Sequence, residues 1–147
     1  MTLAASMNST FDAEPRPDVT SKTMRRVGFA LSALPVLFLL MDITMKLLAL
    51  PIVLETTAQL GYPSTPAFAR TLGVILLICT ALYVYPRTAV LGAVLLTGYL
   101  GGAVATHVRV DSPTFTHVLF GVYLGVLLWG GLFLRDARLR ALFPWWS

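Results

Sequence analysis

The sequence predicts an all-α fold: an integral membrane four-helix up-down bundle with both termini cytoplasmic. Three observations predict it. Hydrophobic residues make up 56% of the 147 residues and charged residues only 12%, against about 25% charged in ordinary soluble domains. Apolar residues gather into four runs, each close to the roughly 20 residues a helix needs to span hydrocarbon. Lysines and arginines sit mainly at the ends of those runs, where they orient helices against lipid. So few charges cannot cover a soluble globule, and the mean hydropathy of +0.76 agrees. Disorder, a coiled coil and a nucleic-acid-binding arm are excluded for the chain as a whole. The net charge of +4 is read as membrane orientation, not nucleic-acid contact.

Residues 1–26 are polar and carry Pro15 and Pro17, which predicts a disordered cytoplasmic tail. Arg25-Arg26 before a long apolar run, with no small-residue cleavage site after it, predicts an anchor and not a cleaved export signal. The domain proper covers 27–134, with apolar segments at about 27–50, 68–85, 89–108 and 115–134. Breakers mark the joints: Pro51, Gly61-Tyr62-Pro63 and Pro66, then Pro86-Arg87, then Ser112-Pro113. Pro35 falls inside the first segment and predicts a kink. Residues 135–147 form a basic cytoplasmic tail, with Trp145 and Trp146 as interfacial anchors.

Topology follows from the cations. Arg16, Lys22, Arg25, Arg26, Arg87, Arg135, Arg138 and Arg140 fall on one side; Arg70 and Arg109 fall on the other; Lys46 lies within a helix. That bias puts both termini in the cytoplasm. Two rows of small residues in the third segment, Ala93-Thr97-Gly101-Ala105 and Gly98-Gly102-Thr106, and Gly121-x-x-x-Gly125 in the fourth, predict close helix packing. A ligand slot lined by glycine is the alternative. The lone Cys79, inside an apolar run, reads as a small buried hydrophobe.

The informative feature is where ionisable groups meet. Asp42 and Lys46 lie four residues apart on one helix face, acid before base. Asp42 is roughly 22 Å into the first segment, in the outer hydrocarbon. A charge at depth costs about 2.5–3.5 kcal/mol on insertion scales, so it faces the bundle and finds partners. On the same side lie Arg70, His107, Arg109 and His117, with Glu55, Gln59 and Asp111 in the joints. With Tyr99 and apolar walls, this extracytoplasmic layer suits a small amphipathic molecule such as a quinone head group. Asp42 and His107 are the candidate catalytic pair; Lys46, Arg70, Tyr99, Arg109 and His117 are the candidate ligand-binding residues. No i, i+3 or i, i+4 pair of metal ligands stands out, so no metal site is expected. The plainer alternatives are an ion pair that locks helix register and histidines that flank a tight turn.

The chain resembles the DoxX-like family of small four-helix bacterial membrane proteins. The likeness lies in FLLMDITMKLL (38–48), AQLGYP (58–63), YPRTAVLGAVLLTGYLGGAVATHVRV (85–110) and FTHVLFGVYLGVLLWGGLFLRD (115–136). The resemblance implies a multi-pass protein of the bacterial inner membrane, an accessory or redox-associated subunit linked to quinone chemistry and to a redox enzyme complex. By it, Asp42, Lys46, His107 and Arg109 are site residues. The absence of a cysteine pair argues against direct thiol exchange. The expected function is therefore an accessory subunit binding a quinone-like or other amphipathic ligand. An enzyme doing acid–base proton transfer on an apolar substrate, a small carrier and a structural assembly subunit are the alternatives. The bilayer is the expected partner, with a homo-oligomer a further possibility.

Overall fold

The computed structural model of the chain describes residues 19–141. Six α-helices follow in order: α1 Val19–Leu47, α2 Pro51–Gln59, α3 Pro66–Val84, α4 Ala89–Arg109, α5 Leu119–Arg135 and α6 Ala137–Ala141. A π-helical turn, Thr114–Val118, leads into α5. There is no strand among the described residues. The stretches Lys22–Leu47, Pro66–Val84, Ala89–Arg109 and Thr114–Arg135 are long and apolar enough to cross a membrane. Their outward faces are apolar: Leu37 and Val126 are each 66% exposed. Such faces suit hydrocarbon, not water.

The four long helices pack in a ring, α1 on α3, α3 on α4, α4 on α5 and α5 back on α1. Short joints make successive helices antiparallel neighbours. Both ends of the described chain therefore lie at one end of the bundle, and α2 lies across the other. α1 begins eight residues before the expected 27, because polar residues there continue the helix beyond its apolar stretch. It also runs unbroken through Pro35, whose side chain is fully buried in the core. Residues 1–18 of the expected tail, and Trp145 and Trp146 of the other, lie outside the described residues.

The buried stripe of α1 is Gly28, Ser32, Pro35, Leu39 and Ile43, a three-to-four-residue spacing that points one face inward. Leu76, Cys79, Tyr83, Leu96, Leu124, Leu128 and Leu132 complete the core from the other helices. Glycine sets two of the closest approaches. A Cβ at Gly131 would stand 2.7 Å from the Ser32 amide nitrogen, so α5 lies directly on α1. A Cβ at Gly92 would overlap the Tyr83 backbone, so α4 lies directly on α3. The expected rows hold in part: Ala93 is buried, and a Cβ at Gly121 would stand 3.3 Å from the Leu100 carbonyl oxygen of α4. Gly98, Gly101, Gly102 and Gly125 would have no neighbour within 4 Å of an added Cβ.

Two polar groups inside this bundle are paired across helices, as a lipid-embedded fold favours, whereas the buried Thr80 hydroxyl has no partner among the described residues. The Tyr83 hydroxyl bridges three helices: it is hydrogen-bonded to Ser32 Oγ at 3.0 Å and donates to the Leu128 carbonyl at 2.7 Å. Trp129 Nε1 donates to Thr97 Oγ1 at 2.9 Å, which ties α5 to α4. Tyr83→Phe removes both contacts of the buried hydroxyl and is expected to cost about 2 kcal/mol. Thermal unfolding of the purified protein checks this. Ser32→Ala should cost less, because the tyrosine keeps its carbonyl acceptor.

At the α2 end, three helices close with the same device. Leu50 N–H donates to Met45 O, Tyr62 N–H to Thr57 O and Ser112 N–H to His107 O, at 3.0–3.2 Å. Each bond reaches five residues back, the mark of a Schellman cap. The residue before each donor is left-handed: Ala49 (φ 51°), Gly61 (φ 74°) and Asp111 (φ 55°). These sharp stops fold the chain tightly over one end of the ring, and they position the site.

Candidate functional site

A cavity of about 580 Å³ opens inside the α2 end of the ring. That volume lies in the range of small-molecule sites, about 300–1,000 Å³. Most of its wall is apolar: Phe38, Leu39, Met45, Leu72, Leu100, Val104, Phe120 and Leu124 contribute. α2 closes it from above. Ile52, Val53, Thr56, Thr57 and Leu60 all line the chamber. Their spacing is one face of a helix.

Five of the expected site residues meet in this wall: Asp42, Lys46, Tyr99, His107 and His117. Asp42 and Lys46 come from α1, one step around the helix from the buried Leu39 and Ile43. Lys46 Nζ donates to both carboxylate oxygens of Asp42, at 2.5 and 2.6 Å. Their side chains keep 29% and 18% exposure, so the pair is part-buried and faces the chamber. Tyr99 comes from α4 and lies within electrostatic reach of Asp42. Among the described residues its hydroxyl has no hydrogen-bond partner. It is an unpartnered donor in the chamber wall.

The two imidazoles stand across the α4–α5 hairpin, ring centres 5.6 Å apart. His107 Nδ1 is hydrogen-bonded to Ser112 Oγ at 3.0 Å, which leaves Nε2 for the chamber. His117 Nδ1 is hydrogen-bonded to Thr116 Oγ1 at 2.8 Å. His117 sits on the π-helical turn, where its own amide and that of Val118 both donate to Pro113 O. Such turns shift side chains off the α-helical register and recur at functional sites. Among the described residues no three of His, Cys, Asp and Glu form a metal-binding cluster.

Arg70 and Arg109 lie outside the chamber lining. Arg70 Nε donates to the Leu47 carbonyl at 3.2 Å, at the end of α1. Arg109 Nη2 donates to the Leu60 carbonyl, and its guanidinium lies 5.7 Å from the Tyr62 ring centre. Both arginines therefore hold backbone that the sharp helix ends leave exposed. Glu55 and Gln59 are exposed on the outer face of α2, and Asp111 is exposed in its turn.

Other residues complete the site. Tyr62 and Thr106 line the chamber and meet at 3.1 Å, the Thr106 hydroxyl in turn donating to Gly102 O at 2.8 Å. Tyr62 stacks on Phe68 at 5.4 Å. These contacts clasp the end of α2 to α3 and α4. Gly98 and Gly102 line the chamber, so one small-residue row makes room for a guest and not for a helix.

Residues 30–131 match the family model described as the DoxX-like family. The matched stretch contains every residue of the chamber wall. Neither a curated protein nor a solved structure matches the chain.

Proposed function

The chain belongs to the DoxX-like family, and we propose that its chamber binds a small amphipathic molecule of the quinone class, as part of a redox-associated membrane subunit. The carrying observation is the chamber itself: an apolar volume of about 580 Å³ into which Tyr99, His107, His117 and the Asp42–Lys46 pair converge. The donor set fits a quinone ring. Tyr99 Oη and His107 Nε2 are the groups that would hold its carbonyl oxygens, and Phe38, Phe120 and Leu124 would flank its apolar face. The quinone would supply the electron-carrying chemistry. The protein's part is to bind and orient it and to exclude water.

Lys46 takes both oxygens of Asp42. That arrangement favours a fixed dipole in the wall over a carboxylate free to move protons, and so favours binding over acid–base catalysis. With the cation-rich end of the bundle in the cytoplasm of a bacterial inner membrane, both termini are cytoplasmic and the chamber opens toward the outer leaflet.

A short-chain quinone titrated into the purified full chain tests the reading. A saturable rise in unfolding midpoint is expected, since a guest that binds only the folded state stabilises it. Tyr99→Phe and His107→Ala should each weaken binding about tenfold, the loss of one hydrogen bond to the guest, and leave the unliganded midpoint nearly unchanged. No saturable shift, or wild-type affinity in both variants, overturns the proposal.

A further inference from the structure

A second cavity, of about 300 Å³, lies at the opposite end of the bundle, where α3 ends and α4 begins. Arg87, Arg135 and Arg138 line it, against a single carboxylate, Asp136. The arginines differ in what they already hold. Arg135 Nη2 donates to the Tyr83 carbonyl at 3.0 Å, with its guanidinium 4.7 Å from the Tyr83 ring centre. The neighbouring Arg140, outside the lining, donates to two carbonyls of α5. Asp136 Oδ1 accepts from the Arg138 backbone amide at 2.9 Å. The guanidinium groups of Arg87 and Arg138 have no protein partner among the described residues, and both residues are exposed.

The remaining wall is apolar. Phe29 and Val84 line the same cavity and are 54% and 51% exposed on the bundle's outer surface. The cavity thus joins two cations, without a protein partner among the described residues, to an outward apolar face, at the level where a membrane-spanning helix gives way to its turn. That is the headgroup layer of a bilayer, where basic pockets between helices take anionic lipids. We propose that this cavity seats the headgroup phosphate of an anionic phospholipid, held by Arg87 and Arg138, with the first part of an acyl chain against Phe29 and Val84. This inference does not depend on what the chamber at the other end binds.

Native mass spectrometry of the full chain, equilibrated with equal amounts of phosphatidylglycerol and phosphatidylcholine, tests it. Preferential retention of phosphatidylglycerol is expected. Arg87→Gln with Arg138→Gln should weaken that retention about thirtyfold, from about 1 kcal/mol for each arginine near a membrane surface. Either single variant should lose about fivefold on the same basis, and carries the test if the double variant is unstable. Arg25→Gln with Arg26→Gln removes the same charge from the same end, outside the cavity, and should change retention little. Equal retention of the two lipids overturns the proposal. So does a loss in the control pair as large as in the cavity pair, which would mark diffuse surface attraction. Complete displacement of the lipid by inorganic phosphate overturns it too, in favour of a free-phosphate site.

Discussion

Asp42→Ala is expected to destabilise the protein by about 3 kcal/mol, the cost of leaving one member of a part-buried pair without its partner. Lys46 Nζ would lose both carboxylate oxygens that it donates to. Lys46→Ala should cost a comparable amount for the converse reason: both carboxylate oxygens of Asp42 lose their donor. Asp42→Leu with Lys46→Leu should cost much less than the sum, because replacing a buried pair with apolar groups is often near neutral. In the double-mutant cycle closed by Asp42→Ala with Lys46→Ala, read by thermal or denaturant unfolding of the purified chain, the double variant should cost about 3 kcal/mol, no more than either single one, which is a coupling of about 3 kcal/mol. Additive single effects would mean that the two side chains do not depend on each other. The double leucine variant separates two roles. If the pair only locks helix register, quinone binding survives in it; if the pair is part of the binding wall, binding falls while the fold persists.

Gly92→Ala is expected to be the most damaging single methyl in the bundle, at about 3 kcal/mol, the upper end of the usual overpacking range. The reason is what the methyl would meet. The carbonyl carbon of Leu82 would stand 2.6 Å away and the Tyr83 backbone nearer still. Backbone of a neighbouring helix cannot rotate aside as a long side chain can, so α3 and α4 would have to separate. That would disturb Tyr83, whose hydroxyl ties α1 and α5 together. Gly101→Ala, in the same helix, is the control. Its added Cβ meets nothing within 4 Å, and better helix propensity should make it neutral or more stable by up to about 1 kcal/mol. Unfolding midpoints of the two variants compare them directly. Similar losses in both would show that glycine matters here only as glycine, not through contact.

The contrast between those glycines shows what could be read from the chain and what could not. Four apolar runs and their breakers were legible because hydrophobic length and proline placement are local properties. That Asp42, His107 and His117 lie toward one end of the bundle was legible as well, because the antiparallel order of the runs puts all three on the same membrane side. Rotation about a helix axis is a tertiary property, which spacing along one chain segment does not determine. Spacing by four placed Gly98 and Gly102 in a packing row, yet the geometry turns them to the chamber, while Gly92, outside the named rows, makes the tight contact. Arg70 and Arg109 share the layer by depth, but long side chains reach past it to carbonyls left open by the caps. The missed element is α2. Its apolar content is too short to span a membrane, so the sequence marks it only as a joint between spans. The 52, 53, 56, 57, 60 spacing behind Pro51 carried the signal of a helix with one inward face.

If the chamber under α2 is a binding site, filling it abolishes binding. Gly98 and Gly102 line it and have nothing within 4 Å of an added Cβ, so Gly98→Leu with Gly102→Leu should occupy the space without disturbing the ring. Titrating a short-chain quinone into this variant should give no shift in unfolding midpoint, with the unliganded midpoint at or above that of the natural sequence. Undiminished affinity in the filled protein would contradict the claim and place the quinone elsewhere.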